Sequence, residues 1–124
     1  MKLKQVDTIL LVQSMEVSRQ FYTGLLGLEI LHDWQTMLVF KERLSILQAS
    51  ELQPQNEIQG FIQSGTEARS NVVIYLQSDD LETCCQQLTA AGVRFLHGII
   101  TLPWERIFRI YDPDGYLIEI GEPH

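Results

Sequence analysis

Apolar positions along the chain change period in a fixed order, and they do so twice. Val6–Val12 reads as a short strand. Ser14 then offers a helix cap, and Met15, Phe21, Tyr22 and Leu25 give an irregular apolar stripe over about Met15–Leu26. Gly27 suits the left-handed position that ends a helix, and Leu28–Leu31 follows as a strand. The succession returns as strand Asn71–Leu76, a cap at Asp79, a helix over about Asp80–Ala91, Gly92 and strand Val93–Leu96. Asp79 with Glu82 predicts a capping box. Leu81, Cys84, Cys85 and Leu88 stand at i, i+3, i+4 and i+7, on one helical face. Ser14 to Gly27 and Asp79 to Gly92 both span thirteen residues.

Each half continues with two strands. Met37–Phe40 and Leu44–Gln48 flank the short connection Lys41–Arg43, and Arg106–Tyr111 and Tyr116–Ile120 flank Asp112-Pro113-Asp114-Gly115. That tetrapeptide is a turn: proline presets φ, aspartate caps locally and glycine accepts positive φ. The expected fold is therefore α+β, with two tandem βαβββ modules over about 1–49 and 71–124 in a single domain. Residues 50–70, rich in Gln, Ser, Glu and Gly, read as the connector. One helix covers only one face of a four-stranded sheet. Two such sheets forming a curled mixed sheet around a cleft would offer a ligand site.

Composition narrows the function. The chain has 124 residues, 45% of them hydrophobic, and a net charge of −7. No apolar run approaches the roughly 18–20 residues of a membrane helix, and the N-terminus lacks the apolar stretch of a signal peptide. A soluble cytoplasmic protein with no membrane partner is expected. The 9 basic residues do not cluster as phosphate binding requires, which argues against nucleic acid. Cys84 and Cys85 are adjacent, about 100° apart on a helix, and lack metal or redox spacing. They read as small core residues.

Ser18-Arg19-Gln20-Phe21-Tyr22 followed by Leu26-Gly27-Leu28, with Pro103-Trp104, Phe108 and Asp112-Pro113-Asp114-Gly115-Tyr116-Leu117-Ile118-Glu119, resembles the vicinal oxygen chelate superfamily. That superfamily includes glyoxalase I, extradiol dioxygenases, fosfomycin-resistance enzymes and bleomycin-binding proteins. The resemblance implies a divalent metal (Ni, Zn, Mn or Fe) held by the first and last strand of each half. Asp7 falls where a histidine is usual, Val73 at the matching place in the second half, and Leu47 or Gln48 on the first half's last strand. Glu119 falls on the second half's last strand and is also the candidate catalytic base. Asp7, Gln48 and Glu119 are thus the candidate ligands, without an imidazole among them. His32 and His97 follow strand ends and His124 is last, so all three read as surface or loop residues.

Trp34, Trp104, Arg106, Phe108 and Tyr75 are the candidate cleft residues. Period-2 alternation places Arg106 and Phe108 on one face and Ile107 and Arg109 on the other, with the cleft side open. The defective ligand set beside an aromatic-rich cleft points to a small-molecule-binding protein of the bleomycin-resistance kind, working as a homodimer. The alternative is a metal-dependent glyoxalase-like lyase or isomerase. An extradiol-type dioxygenase, which needs two histidines and a carboxylate on iron, fits least.

Overall fold

A computed structural model of the chain describes residues 1–55 and 69–123. The chain divides into two compact units, Met1–Gly65 and Thr66–His124. Most of the expected connector, residues 56–68, lies outside the described residues.

The first unit contains β1 (Thr8–Val12), α1 (Met15–Arg19) running on into a π-helical stretch (Gln20–Leu25), β2 (Ile30–Asp33), β3 (Met37–Phe40) and β4 (Leu44–Gln48). The second contains β5 (Arg69–Gln77), α2 (Leu81–Ala90), β6 (Phe95–Thr101), β7 (Arg106–Tyr111) and β8 (Tyr116–Gly121). Each unit forms one mixed four-stranded sheet, in the orders β1-β4-β3-β2 and β5-β8-β7-β6. First and last strands pair in parallel, and the remaining neighbours are antiparallel. The α+β architecture of two βαβββ modules stands as expected. No helix among the described residues is long and apolar enough to cross a membrane.

The helix termini correct the sequence reading. Ser14 caps α1, its hydroxyl accepting from the Val17 amide. In the second module the cap is Asp80, which accepts from the Thr83 amide at 3.1 Å, in place of the expected Asp79–Glu82 box. Cap to closing glycine is then twelve residues in the second helix and thirteen in the first. The wider π turn, with the Leu26 amide bonded five residues back to Phe21, absorbs the additional residue.

Both helices close on a glycine at positive φ, Gly27 at 72° and Gly92 at 76°. The next residue's amide folds back onto the helix, Leu28 to Tyr22 and Val93 to Leu88. Those residues are spent on the cap, which is why β2 and β6 start two residues later than periodicity suggests.

Strand alternation gives each sheet a face covered by its own helix. In the first module Leu10, Val12, Leu38, Phe40, Leu44 and Ile46 pack there with Met15, Phe21 and Tyr22. The Tyr22 ring lies 5.9 Å from Phe40 and 5.1 Å from Phe21. In the second, Phe108, Ile110, Ile118 and Ile120 meet Leu81 and Leu88. Cys84 and Cys85 are free and only half-buried, at the margin of that core instead of inside it.

Phe108 is fully buried and stacks on Phe95 at 5.5 Å, so it is a core residue and not a cleft residue. Beside it, Arg106 is bound by Glu82 of α2 and by Glu122 after β8. These hydrogen bonds hold the guanidinium above its usual pKa and both carboxyls below theirs. Arg106 thus ties helix to sheet, and it too leaves the candidate cleft set.

Two outcomes test this packing. Phe108→Ala should destabilise the protein by about 3–5 kcal/mol in urea unfolding, because the stacked ring leaves a cavity. Asp33 receives two hydrogen bonds from Arg19 of α1, at 2.7 and 3.1 Å, and one from the Gln35 amide, which bring its carboxyl down to about 2. A depressed carboxylate stabilises the fold above its unfolded pKa and loses that contribution as pH falls through the folded value. The stability gap between wild type and Asp33→Asn should therefore be constant above pH about 4 and close between about 4 and 2.

Candidate functional site

Strand register assigns the candidates that lie on strands to a face. On β5, Tyr75 stands opposite Glu119 of β8; Glu119 stands opposite Arg109 of β7; Arg109 stands opposite His97 of β6. Tyr75, Glu119, Arg109 and His97 thus form one row across the whole sheet, on the face away from α2. The first module has the corresponding row: Ile9, Ser45, Val39 and His32. The two rows correspond because Ile9 and Tyr75 each precede their helix cap, Ser14 or Asp80, by five residues.

This correspondence relocates one candidate. The first module's counterpart of Glu119 is Ser45, neither Leu47 nor Gln48. Gln48 shares the helix side of its sheet with Ile46. Its Oε1 accepts from the Met15 amide at 2.9 Å and its Nε2 donates to the Gln13 carbonyl at 3.0 Å. It secures the first turn of α1, with both its amide oxygen and its amide nitrogen bonded to the backbone there.

Asp7 lies just before β1. Its Oδ1 accepts from the Thr8 amide at 2.8 Å and its Oδ2 from the buried Ser45 hydroxyl. Val73 brings no donor atom. Trp34 and Trp104 are exposed at 59% and 67%, the first stacked on His32 with centroids 5.3 Å apart. They occupy matching places, each five residues before the β3 or β7 member of its row.

Glu119 is the best-positioned candidate, and it is already paired. Its Oε1 lies 2.9 Å from Nε and 2.8 Å from Nη2 of Arg109, with the two side chains 18% and 28% exposed. Nη1 of the same guanidinium lies 3.0 Å from His97 Nε2. His97 Nδ1 is 2.8 Å from the Gly98 carbonyl, which can only accept. The network therefore assigns the proton to Nδ1 and leaves Nε2 as the acceptor for Arg109, which describes a neutral imidazole.

At the β5 end of this row the Tyr75 hydroxyl donates to Glu105 at 2.8 Å and accepts from Gln77 at 3.0 Å. The Gln77 hydrogen bond lowers the phenol's pKa, but desolvation and the Glu105 carboxylate outweigh it and leave the phenol above its usual value. The bond passes directly over Gly121. A Cβ there would sit 2.5 Å from Glu105 Oε2 and 2.9 Å from Tyr75 Oη, so a side chain at this position would push the Tyr75–Glu105 crossing aside.

The donor set does not fit a divalent metal. Val73 cannot ligate, Gln48 caps a helix, and Asp7 already accepts two hydrogen bonds. Glu119 is bound to a fixed cation that would repel another. Among the described residues no three His, Cys, Asp or Glu side chains are grouped to hold an ion.

Alternation had separated Arg109 from Arg106, but His97 was taken for a residue beyond a strand end. It lies inside β6, whose register shifts between Phe95 and His97 and again between His97 and Ile100. Two irregularities in one strand erase the period-2 signal that would have placed it.

A family model for a glyoxalase-like domain matches residues 5–124. Among solved structures, a protein of unknown function from Agrobacterium tumefaciens str. C58 is 30% identical, with a TM-score of 0.84 over 100% of this chain and 97% of that one. A glyoxalase/dioxygenase from Nostoc punctiforme is 25% identical, with a TM-score of 0.69 over 98% and 92%. A lactoylglutathione lyase from Agrobacterium tumefaciens, 19% identical, shares the fold with a TM-score of 0.67 over 94% and 91%. Among curated proteins nothing matches.

The Tyr75–Glu105 bond gives a direct test of this face. Glu105→Gln should lower the Tyr75 pKa, because the carboxylate that disfavours phenolate is gone. Ultraviolet difference titration against a Tyr75→Phe control reads the shift. An unchanged or higher value would contradict the arrangement.

Proposed function

Because the chain belongs to the glyoxalase-like domain family, within the vicinal oxygen chelate superfamily, we propose that it is a metal-independent small-molecule-binding protein, of the kind represented by the superfamily's bleomycin-binding members. The observation that carries this reading is the Arg109–Glu119 pair: the one expected metal ligand that the closing motif places is neutralised from within the sheet. The equivalent place in the first module is a buried serine hydroxyl turned to Asp7. A metal-dependent lyase would need Glu119 free and further donors beside it.

The reading includes a homodimer. A module of four strands and one helix has a small core, and Ile9, Val17, Leu31, Val72 and Val73 remain exposed on the isolated chain. Association would cover such surface.

Thermal unfolding of chelator-treated protein tests the proposal. Ni²⁺, Mn²⁺ or Zn²⁺ should leave the melting temperature unchanged, since an ion that does not bind the native state cannot stabilise it. A rise that Glu119→Gln abolishes would overturn metal independence. Sedimentation of the same sample as a monomer at micromolar concentration would overturn the dimer.

A further inference from the structure

The Arg109–Glu119–His97 group has unspent hydrogen-bonding capacity, and its pattern is specific. A guanidinium carries five N–H groups. Nε and Nη2 face Glu119 Oε1, and Nη1 faces His97 Nε2. One N–H on each Nη remains once these contacts are made. Glu119 Oε2 receives no hydrogen bond from the described residues, so the carboxylate keeps a whole oxygen as acceptor. Donor and acceptor capacity thus lie side by side on the face away from α2, on partly exposed side chains in the middle of the row.

The charge balance excludes the simplest ligands. Arg109 is cancelled by Glu119, and the neutral imidazole adds nothing. A lone anion therefore finds no net positive charge, and a lone cation would compete with a guanidinium already in place. The geometry points to a neutral ligand edge that presents an acceptor oxygen beside an N–H donor, a carboxamide, with its oxygen on the outer N–H groups of Arg109 and its N–H on Glu119 Oε2. This inference rests on the metal-independent reading above, since a metal on Glu119 would consume the same oxygen. Tyr75, 42% exposed and next in the row, supplies an aromatic surface for the rest of such a ligand.

Three aromatic probes of similar size separate the alternatives: benzamide, benzoate and benzylammonium, titrated into ¹⁵N-labelled protein. The readout is the Arg109 Nε–H and His97 Nδ1–H resonances. Benzamide should shift both saturably and bind at least about tenfold more tightly than the charged probes, because a site with matched polar groups rejects ligands that leave them unpaired. Glu119→Gln and Arg109→Lys should each weaken benzamide by about tenfold or more, with the backbone amide spectrum still dispersed.

Benzoate or benzylammonium binding as tightly as benzamide would overturn the inference. So would shifts confined to other residues, or no shift with any probe. Zn²⁺ alone moving the Arg109 and His97 resonances would instead overturn metal independence, a result that the probe titrations do not share.

Discussion

The parallel pairing of each module's first strand with its last is the constraint from which the rest follows. A parallel pair needs a crossover connection, and here the crossover is the helix together with two intervening strands. That puts the first strand at one edge of each sheet and the last strand next to it in the interior, with the antiparallel hairpin beyond. It also fixes which side chains meet. Once Ile9 stands opposite Ser45 and Tyr75 opposite Glu119, alternation assigns the regularly paired strand residues to the helix side or away from it. Core and candidate site are two readings of one register.

Within that register the modules have diverged by residue type while keeping their positions. The central pair of the row is Ser45 and Val39 in the first module, Glu119 and Arg109 in the second. The outer position is a histidine in both, His32 or His97. The first module thus carries a row without a charged pair, whose histidine stacks on Trp34, and the second a charged row whose histidine accepts from an arginine. The helices show the same tolerance: one more residue in the first is taken up as π turns between a conserved geometry of cap and closing glycine.

Legibility in the sequence follows the range of the interaction. Features set by near neighbours are readable there: the two helices, both closing glycines, the Asp112–Gly115 turn and the doubled βαβββ order. The capping residue of α2 is one position later than read, because Asp79 and Asp80 are adjacent and only the backbone decides which carboxylate meets the Thr83 amide. Glu119 is placed by its motif. Arg106 and Phe108 are not assignable to a side until Glu82 and Phe95 are seen against them. The partnership of Arg109 with Glu119 spans a turn, and that of Arg109 with His97 spans an irregular hairpin. Gln48 fails for a similar reason: its amide looks like a ligand until the Met15 amide is found on it.

The pairing of Glu119 also explains why a retained carboxylate need not mean a retained metal. A half-buried carboxylate without a cation is costly, since desolvation disfavours its charged form. A guanidinium on the neighbouring strand removes that cost with charge-assisted hydrogen bonds, and it does so without three further ligands converging from elsewhere. The substitution changes what the site can recognise. A divalent ion holds ligand oxygens by charge and accepts many geometries, whereas the Arg109–Glu119 pair has no net charge and offers fixed N–H and oxygen positions. Selectivity at such a site comes from matching donors to acceptors, and His97, held as a neutral acceptor by Gly98, keeps the guanidinium oriented for that match.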